Sequence, residues 1–246
     1  MKTAIVTGGG KGIGLAIARK LASENHFVII AELDETAAED AVDSIGNERA
    51  IFVRCDVGNE ESVRQFFATV IEKKGQDDVA VLVNNAGIIR DKMIWKMSTE
   101  EFDQVLNVNL RGTWLMCREA AKIMRENRMG SIVNIASRAW LGNPGQTNYS
   151  ASKAGVVGLT RALALELGRV GVNVNAVAPG LIDTPLTQKL PTDVLEKLIN
   201  AQPTRTMGSP QDIADMVAFL SSGKAKFITG QVFHVDGGKS IGAGVV

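Results

Sequence analysis

Residues 4–14 read AIVTGGGKGIG: a short β-branched run, Ala4 to Thr7, breaks into Gly8-Gly9-Gly10-Lys11-Gly12-Ile13-Gly14, and a helical pattern, Gly12 to Ser23, starts at once. A strand that passes through glycines straight into a helix opens a βαβ unit. Glycines let the chain turn tightly and let its backbone approach a pyrophosphate, which then rests against the unpaired amides of the helix N-terminus. Gly8, Gly12 and Gly14 are therefore candidate contacts, with Lys11 and Ile13 between them. The spacing is not the common G-x-G-x-x-G, although Gly9 also permits Gly9-x-x-Gly12, and a glycine-rich turn taken alone can be only a turn.

The alternation continues along the chain. Phe27 to Ala31, Ala50 to Arg54, Val79 to Val83, Ser131 to Ile135, Val172 to Ala178 and Gln231 to Val235 read as strands, most without polar alternation, as expected where both faces are covered. Glu35 to Ile45, Glu60 to Lys74, Thr99 to Asn127 and Asn148 to Gly168 carry apolar residues at helical spacing. The pattern predicts an α/β fold, a parallel sheet of about seven strands with helices on both faces, in one domain spanning 1–246. Only Leu181 to Pro210 departs, with four prolines around a short amphipathic piece, Asp193 to Asn200. An insertion after a strand's carboxyl end is where open α/β sheets bind ligand, so 181–210 reads as a substrate lid or as an irregular surface loop.

Composition narrows the chemistry. The chain of 246 residues is 45% hydrophobic, with 27 basic against 27 acidic side chains, enough apolar material for a large core and no basic excess to grip nucleic acid or an anionic membrane. No stretch approaches a membrane span or a signal peptide, and two distant cysteines, Cys55 and Cys117, make no disulfide framework, so cytoplasmic residence is expected. His26 and His234 form no metal-binding motif, and no metal is expected. No G-x-S-x-G elbow exists, and Gly238-Lys239-Ser240 lacks the first glycine of a P-loop because Phe233 stands there. With one tyrosine in the chain, any phenol chemistry must use Tyr149.

Tyr149 and Lys153 are four apart in a helical pattern, on one face a turn apart. Bringing a phenol from a pKa of about 10 to neutrality takes roughly 4 kcal/mol. A cation about 4 Å away at an effective dielectric near 20 supplies about that much, so this pair can exchange a proton with a carbonyl or alcohol oxygen. Ser137 follows an apolar strand at the sheet's carboxyl end, where its hydroxyl can hold the same oxygen. Trp140, between Ser137 and Tyr149, is a pocket candidate. The second strand ends at Glu32, about twenty residues past the glycines, placed to accept from ribose hydroxyls and to repel a 2′-phosphate, which favours NAD over NADP. Lys11 argues the other way, since a cation in the turn could contact that phosphate.

The turn from Thr7 to Gly14, Asn84-Asn85-Ala86-Gly87, Asn109 in Asn107-Val108-Asn109-Leu110, Ser137, Tyr149-Ser150-Ala151-Ser152-Lys153 and Pro179-Gly180, in that order, resemble the short-chain dehydrogenase/reductase family. Within it, GNPGQTNYSASKAGVVGLTRALALE, VNVNAVAPGLIDTPLT and ITGQVFHVDGG are most similar to the 3-oxoacyl-[acyl-carrier-protein] reductase group. The resemblance implies a three-layer, doubly wound Rossmann fold, an oxidoreductase using NAD or NADP, and Asn109, Ser137, Tyr149 and Lys153 as catalytic residues, with Asn109 in a proton relay. It implies cofactor contacts at Asp56 and Val57, at Asn84, Ala86 and Gly87, and at Pro179, Gly180, Ile182 and Thr184. It implies a homotetramer, with the long helices and the C-terminal segment at interfaces. The Ser137 to Tyr149 spacing is one residue shorter than the commonest family pattern, so the loop Arg138 to Gln146 must be tightened.

The activity implied is reduction of a carbonyl, on a 3-oxoacyl thioester of an acyl carrier protein or coenzyme A, to a secondary alcohol. Dehydrogenation of small secondary alcohols and non-catalytic NAD(H) sensing are the alternatives. An acidic carrier needs exposed cations near the site entrance; Arg128 matches one such position of the carrier-protein reductases, and Val170, beside Arg169, stands at the other.

Overall fold

The computed structural model describes residues 1–241, Asp77 through its backbone alone. Seven strands, β1 (Lys2–Thr7), β2 (His26–Glu32), β3 (Ala50–Arg54), β4 (Val79–Asn84), β5 (Gly130–Ile135), β6 (Val172–Pro179) and β7 (Val232–Val235), form one sheet in the order β3-β2-β1-β4-β5-β6-β7. Every pairing is parallel. The chain runs outward from β1 to β3, returns across it, and continues from β4 to β7, so the order reverses between β1 and β4. A crevice opens at such a point outside the carboxyl ends of the strands, which is where open α/β sheets bind ligands.

The unbroken apolar strands follow from burial on both faces. Val6, Val28, Ile30, Val83 and Val177 pack on α1 (Gly12–Ser23) and α2 (Glu35–Ile45), while Ile5, Ile29, Leu82, Ile132 and Val174 pack on α3 (Glu60–Lys74) and the helices of the other layer. Successive side chains point to opposite faces, so Ile5 and Val6 serve different cores. Ile5 is fully buried, and withdrawing a side chain of that size from water contributes about 1.5–3 kcal/mol.

The segment read as one helix from Thr99 to Asn127 is α4 (Thr99–Leu106), a π-helical turn over Asn107–Gly112, and α5 (Thr113–Asn127). Apolar spacing does not register one wider turn, and such turns are frequent at functional sites. α6 (Thr147–Leu167) matches its expected span closely, and the 181–210 segment contains α7 (Thr192–Asn200). That segment is tied back by a bridge between Ile182 and Gly208. A further helix, α8 (Pro210–Ser221), was not among the helical segments read from the sequence. It packs against α1 with Ile213 and Val217 buried, and its signature is the reciprocal capping box of Ser209 and Asp212 with proline at the first position.

Candidate active site

α6 begins beside the carboxyl ends of β4, β5 and β6, and its first two turns carry Tyr149 and Lys153. Its roll about its own axis is fixed by buried polar bonds: Asn84 Nδ2 donates to Asn134 Oδ1 at 2.8 Å, and Asn134 Nδ2 donates to the Thr160 hydroxyl at 2.9 Å. With that roll set, Lys153 is buried and its Nζ donates to the Ile135 carbonyl at 2.7 Å. The ammonium lies 5.6 Å from the centre of the Tyr149 ring.

The electrostatics differ from the expectation that Lys153 acidifies the phenol. Burial pushes the Lys153 ammonium down to about 8, and burial likewise raises the Tyr149 phenol above its ordinary 10, with the Ser137 hydroxyl working the other way. The physical reason is desolvation. Each charged form loses water in the same enclosed corner, and the ammonium spends its contact on a carbonyl rather than on the phenol oxygen. A neutral phenol is the proton-donating form, so the arrangement suits reduction.

Ser137 stands just past β5, and its hydroxyl accepts from the Ala139 amide at 3.1 Å. The shortened loop is accommodated by a 3₁₀ turn over Arg138–Leu141 and by Gly142 and Gly145 at φ of +106° and +77°. The turn directs Trp140 away from the cleft. Its indole nitrogen donates to His234 Nε2 at 3.0 Å and the rings stack, so Trp140 supports β7 and is not part of the cleft's wall.

Asn109 lies in the π turn, fully buried. Its amide bonds reciprocally to Ile88, with Oδ1 accepting from the backbone nitrogen at 2.8 Å and Nδ2 donating to the carbonyl at 3.0 Å. Its carbonyl accepts from the Thr113 hydroxyl at 2.7 Å. The side chain thus fixes the segment after β4. A Cβ on Gly87 would meet Asn109 Oδ1 at 3.2 Å and Lys153 Nζ at 3.8 Å, so Gly87 leaves the space between them.

The glycine turn fits a dinucleotide. Gly8 and Gly12 have φ of +62° and +54°, and a Cβ on Gly14 would fall 2.0 Å from the Gly8 carbonyl oxygen. No side chain caps α1 and its first turn holds no acid, whereas Asp34, Asn59, Ser98 and Ser209 cap α2, α3, α4 and α8. An uncapped helix start behind a glycine turn is a place for an anionic phosphate. Glu32 accepts from the Gly10 amide at 3.3 Å and the Leu33 amide at 2.8 Å. Lys11 pairs with Asp34 at 2.7 Å, which holds its ammonium above the ordinary lysine range.

Beyond the turn, the Asp56 carboxylate accepts from the Gly58 amide at 2.9 Å, and Val57 is buried against the π turn at Gly112. The Ala86 amide donates to the Thr7 hydroxyl at 2.9 Å, holding the end of β4 to the glycine turn. Asn84 is placed differently from its expected position under a cofactor. Its side chain points into the core, and the adjacent Asn85 lines the cleft and donates to the Thr7 and Gly8 carbonyls at 3.0 Å.

These elements enclose a cavity of about 750 Å³. Ser137, Tyr149 and Lys153 meet Gly87 on one wall; Ile13, Pro179 and Gly180 with Ile182 and Thr184 form another. At Gly180 a Cβ would lie 2.6 Å from the Asp236 Cα, so only glycine lets the two segments approach this closely. Leu186, Leu198 and Gln202 of the 181–210 segment also line the cavity, which gives that segment the position of a lid. Sequence reading missed Asn85, Arg90, Arg138 and Lys239, which line the same space; of these only Asn85 had a signal, inside the Asn-Asn-Ala-Gly motif. Arg128 and Arg169 precede β5 and β6, at the opposite edge of the sheet, so within one chain neither stands at the cleft. No helix among the described residues is long and apolar enough to cross a membrane.

Residues 8–240 match a family model described as Enoyl-(Acyl carrier protein) reductase. The chain is 44% identical over 245 residues to the (2S)-[(R)-hydroxy(phenyl)methyl]succinyl-CoA dehydrogenase subunit BbsD of Thauera aromatica, covering 99% of this chain and 98% of that one. It is 42% identical over 241 residues to the 3-oxoacyl-[acyl-carrier-protein] reductase FabG of Aquifex aeolicus, 96% of each. The crystal structure of levodione reductase superposes with a TM-score of 0.93 at 34% identity over 98% of both chains. The Rossmann sheet, its glycine turn and these full-length relatives agree: the chain belongs to the short-chain dehydrogenase/reductase family, an oxidoreductase family that binds a nicotinamide cofactor.

Proposed function

We propose that this protein reduces the ketone of a 3-oxoacyl thioester to a secondary alcohol, using NADH. The observation that carries the reading is the convergence of Tyr149, Lys153 and Ser137 on one wall of the cleft, opposite the lid and at the end of the glycine turn. The cofactor supplies the hydride when bound, held by the amides of Gly12 to Gly14, by Glu32 and Asp56, and by the segments at Ala86 and Pro179 to Thr184. Ser137 holds the substrate's carbonyl oxygen. Tyr149, kept protonated by burial, gives its proton to that oxygen as the carbon gains hydride, and the ketone becomes the alcohol. Lys153, anchored on the Ile135 carbonyl 5.6 Å from the ring centre, keeps a cation beside the phenol, and Asn109 shapes the segment after β4.

Preference for NADH is supported by the two groups that would meet a 2′-phosphate. Glu32 is acidic, and Lys11, the one cation of the turn, is already engaged by Asp34. The thioester class is supported by the relatives' names, two of which denote acyl thioester oxidoreductases. We infer one domain over 1–246, in the cytoplasm, assembled as a homotetramer; Trp114 and Leu165, exposed on α5 and α6, support pairing through those helices. The expected second interface includes the C-terminal segment, whose residues 242–246 lie outside the described residues. The test is NADH oxidation with 3-oxoacyl thioesters and simple ketones. Turnover of ketones alone would replace the thioester reading with the small-alcohol dehydrogenase, and absence of any turnover would leave an NAD(H) sensor.

A further inference from the structure

The cleft is lined by Arg90, Arg138, Lys153 and Lys239 and by no aspartate or glutamate among the described residues. In a chain with no net charge this is a local excess of positive charge, focused by the low-dielectric walls of a cavity. Asp91 reaches the site only at a distance; it is exposed, and its carboxylate accepts from Gln146 at 2.8 Å. Two of the four cations have partners in the chain, Lys153 on the Ile135 carbonyl and Arg90 on the Ile89 carbonyl.

Arg138 does not. Its Nε is buried and has no hydrogen-bond partner, and the guanidinium makes no ion pair among the described residues. Arg118, by contrast, binds Glu60 and Glu119, each at 2.8 Å. A buried donor left without a partner costs free energy, and an arginine in a binding cleft recovers it by closing on a planar anion. Arg138 follows Ser137 directly and lines the same cavity as Ser137 and Tyr149, so an anion held by Arg138 shares that cavity with the oxygen that Ser137 would hold. The phosphates of a dinucleotide rest at the glycine turn, and those of coenzyme A lie a pantetheine's length from the thioester.

We propose that Arg138 is the specificity-determining residue for a carboxylate carried on the acyl part of the substrate, so that the preferred substrate is a 3-oxoacyl thioester with a free acid group. The proposal rests on the carbonyl-reduction reading and names the substrate class within it.

The test compares 3-oxohexanoyl-coenzyme A with 3-oxoadipyl-coenzyme A, which differ by a terminal methyl against a terminal carboxylate. The wild type is expected to favour the carboxylate in kcat/KM by at least about tenfold, mainly through KM. In Arg138→Gln the ratio falls to near one, and in Arg138→Glu it inverts. A wild-type ratio of one, a ratio unchanged in Arg138→Gln, or an equal loss for both thioesters overturns the proposal, the last by assigning Arg138 to the coenzyme's phosphates. A matching loss of NADH affinity in Arg138→Gln overturns it in favour of the cofactor's phosphates. Calorimetric binding of the two thioesters to wild type and Arg138→Gln reads the preference without turnover. If binding shows it and no substrate is reduced, the reaction reading falls and the carboxylate site stands.

Discussion

Two lysines bracket the cleft and live under opposite rules. Lys11 is exposed in the glycine turn, paired with Asp34, and shifted up by that partner. Lys153 is buried at the catalytic wall, held by one neutral carbonyl, and shifted down to about 8 by loss of water. The first is a charge whose reach is cancelled by a neighbour. The second is a charge the fold destabilises, 5.6 Å from the centre of the Tyr149 ring. Under the proposed function, the glycine-turn end selects between ligands and the Tyr149 end serves reaction at a cost in stability.

The comparison breaks first at the catalytic end. Tyr149→Phe is expected to lower kcat roughly 10³-fold, the scale of a lost general acid, while NADH affinity measured by fluorescence changes little. Retained turnover would show that the wall carrying Lys153 has no proton to manage. Gly14→Ala is the counterpart at the other end, since its Cβ would fall on the Gly8 carbonyl. It should weaken NADH binding by more than about tenfold, because the amides would no longer present themselves to a phosphate.

Lys153→Met sharpens the contrast through stability. The variant should lose turnover yet unfold at higher denaturant, gaining about 2 kcal/mol at pH 7: a buried charge worth roughly 3 kcal/mol of penalty is removed and about one hydrogen bond is lost. The sign with pH follows from a folded-state pKa depressed to about 8 against an unfolded 10.5. Below pH 8 both states hold the proton and the penalty is complete; between 8 and 10.5 the folded state sheds it, so the wild type gains stability and the gap to Lys153→Met closes. A gap that widens over that range would contradict the desolvated ammonium.

The smaller effects lie at the glycine turn. Glu32→Ala should reduce the ratio of NADH to NADPH specificity about tenfold, measured as kcat/KM for each cofactor. Asp34→Ala releases Lys11 and should improve NADPH utilisation about threefold at low salt, with the gain fading as ionic strength rises. No change in the second variant would mean that Lys11 does not reach the 2′ position even when freed.

How far the sequence announces these features depends on the range over which each is determined. The sheet is legible because most inner strands are largely apolar on both faces, a property of a few neighbouring residues such as Ala4 to Val6. The pairing of Tyr149 with Lys153 on one helix face is equally local. Asn84 and Asn85 are identical side chains on opposite sides of a strand end, and only the register with β5 decides that the first bonds Asn134 and the second faces the cleft. Trp140 is drawn off by His234, ninety-four positions away. The direction of the Tyr149 shift depends on how much water survives at the site, which pairwise spacing does not contain. α8 was missed for another reason: Pro210 was counted with the prolines of the irregular segment, although proline at a first helical turn, after serine, marks a start.

The amide chain from Asn84 through Asn134 to Thr160 also links the pairing of two strands to the seating of a helix. Asn84 and Asn134 are fifty positions apart, and their bond exists only once β4 and β5 lie side by side. Asn134 carries that pairing on to Thr160 of α6, whose hydroxyl also donates to the Val156 carbonyl of its own helix at 2.8 Å. Seating of α6 should therefore be coupled to the pairing of β4 with β5, and the amides of Asn84 to Ala86 and the first turns of α6 should gain hydrogen-exchange protection together.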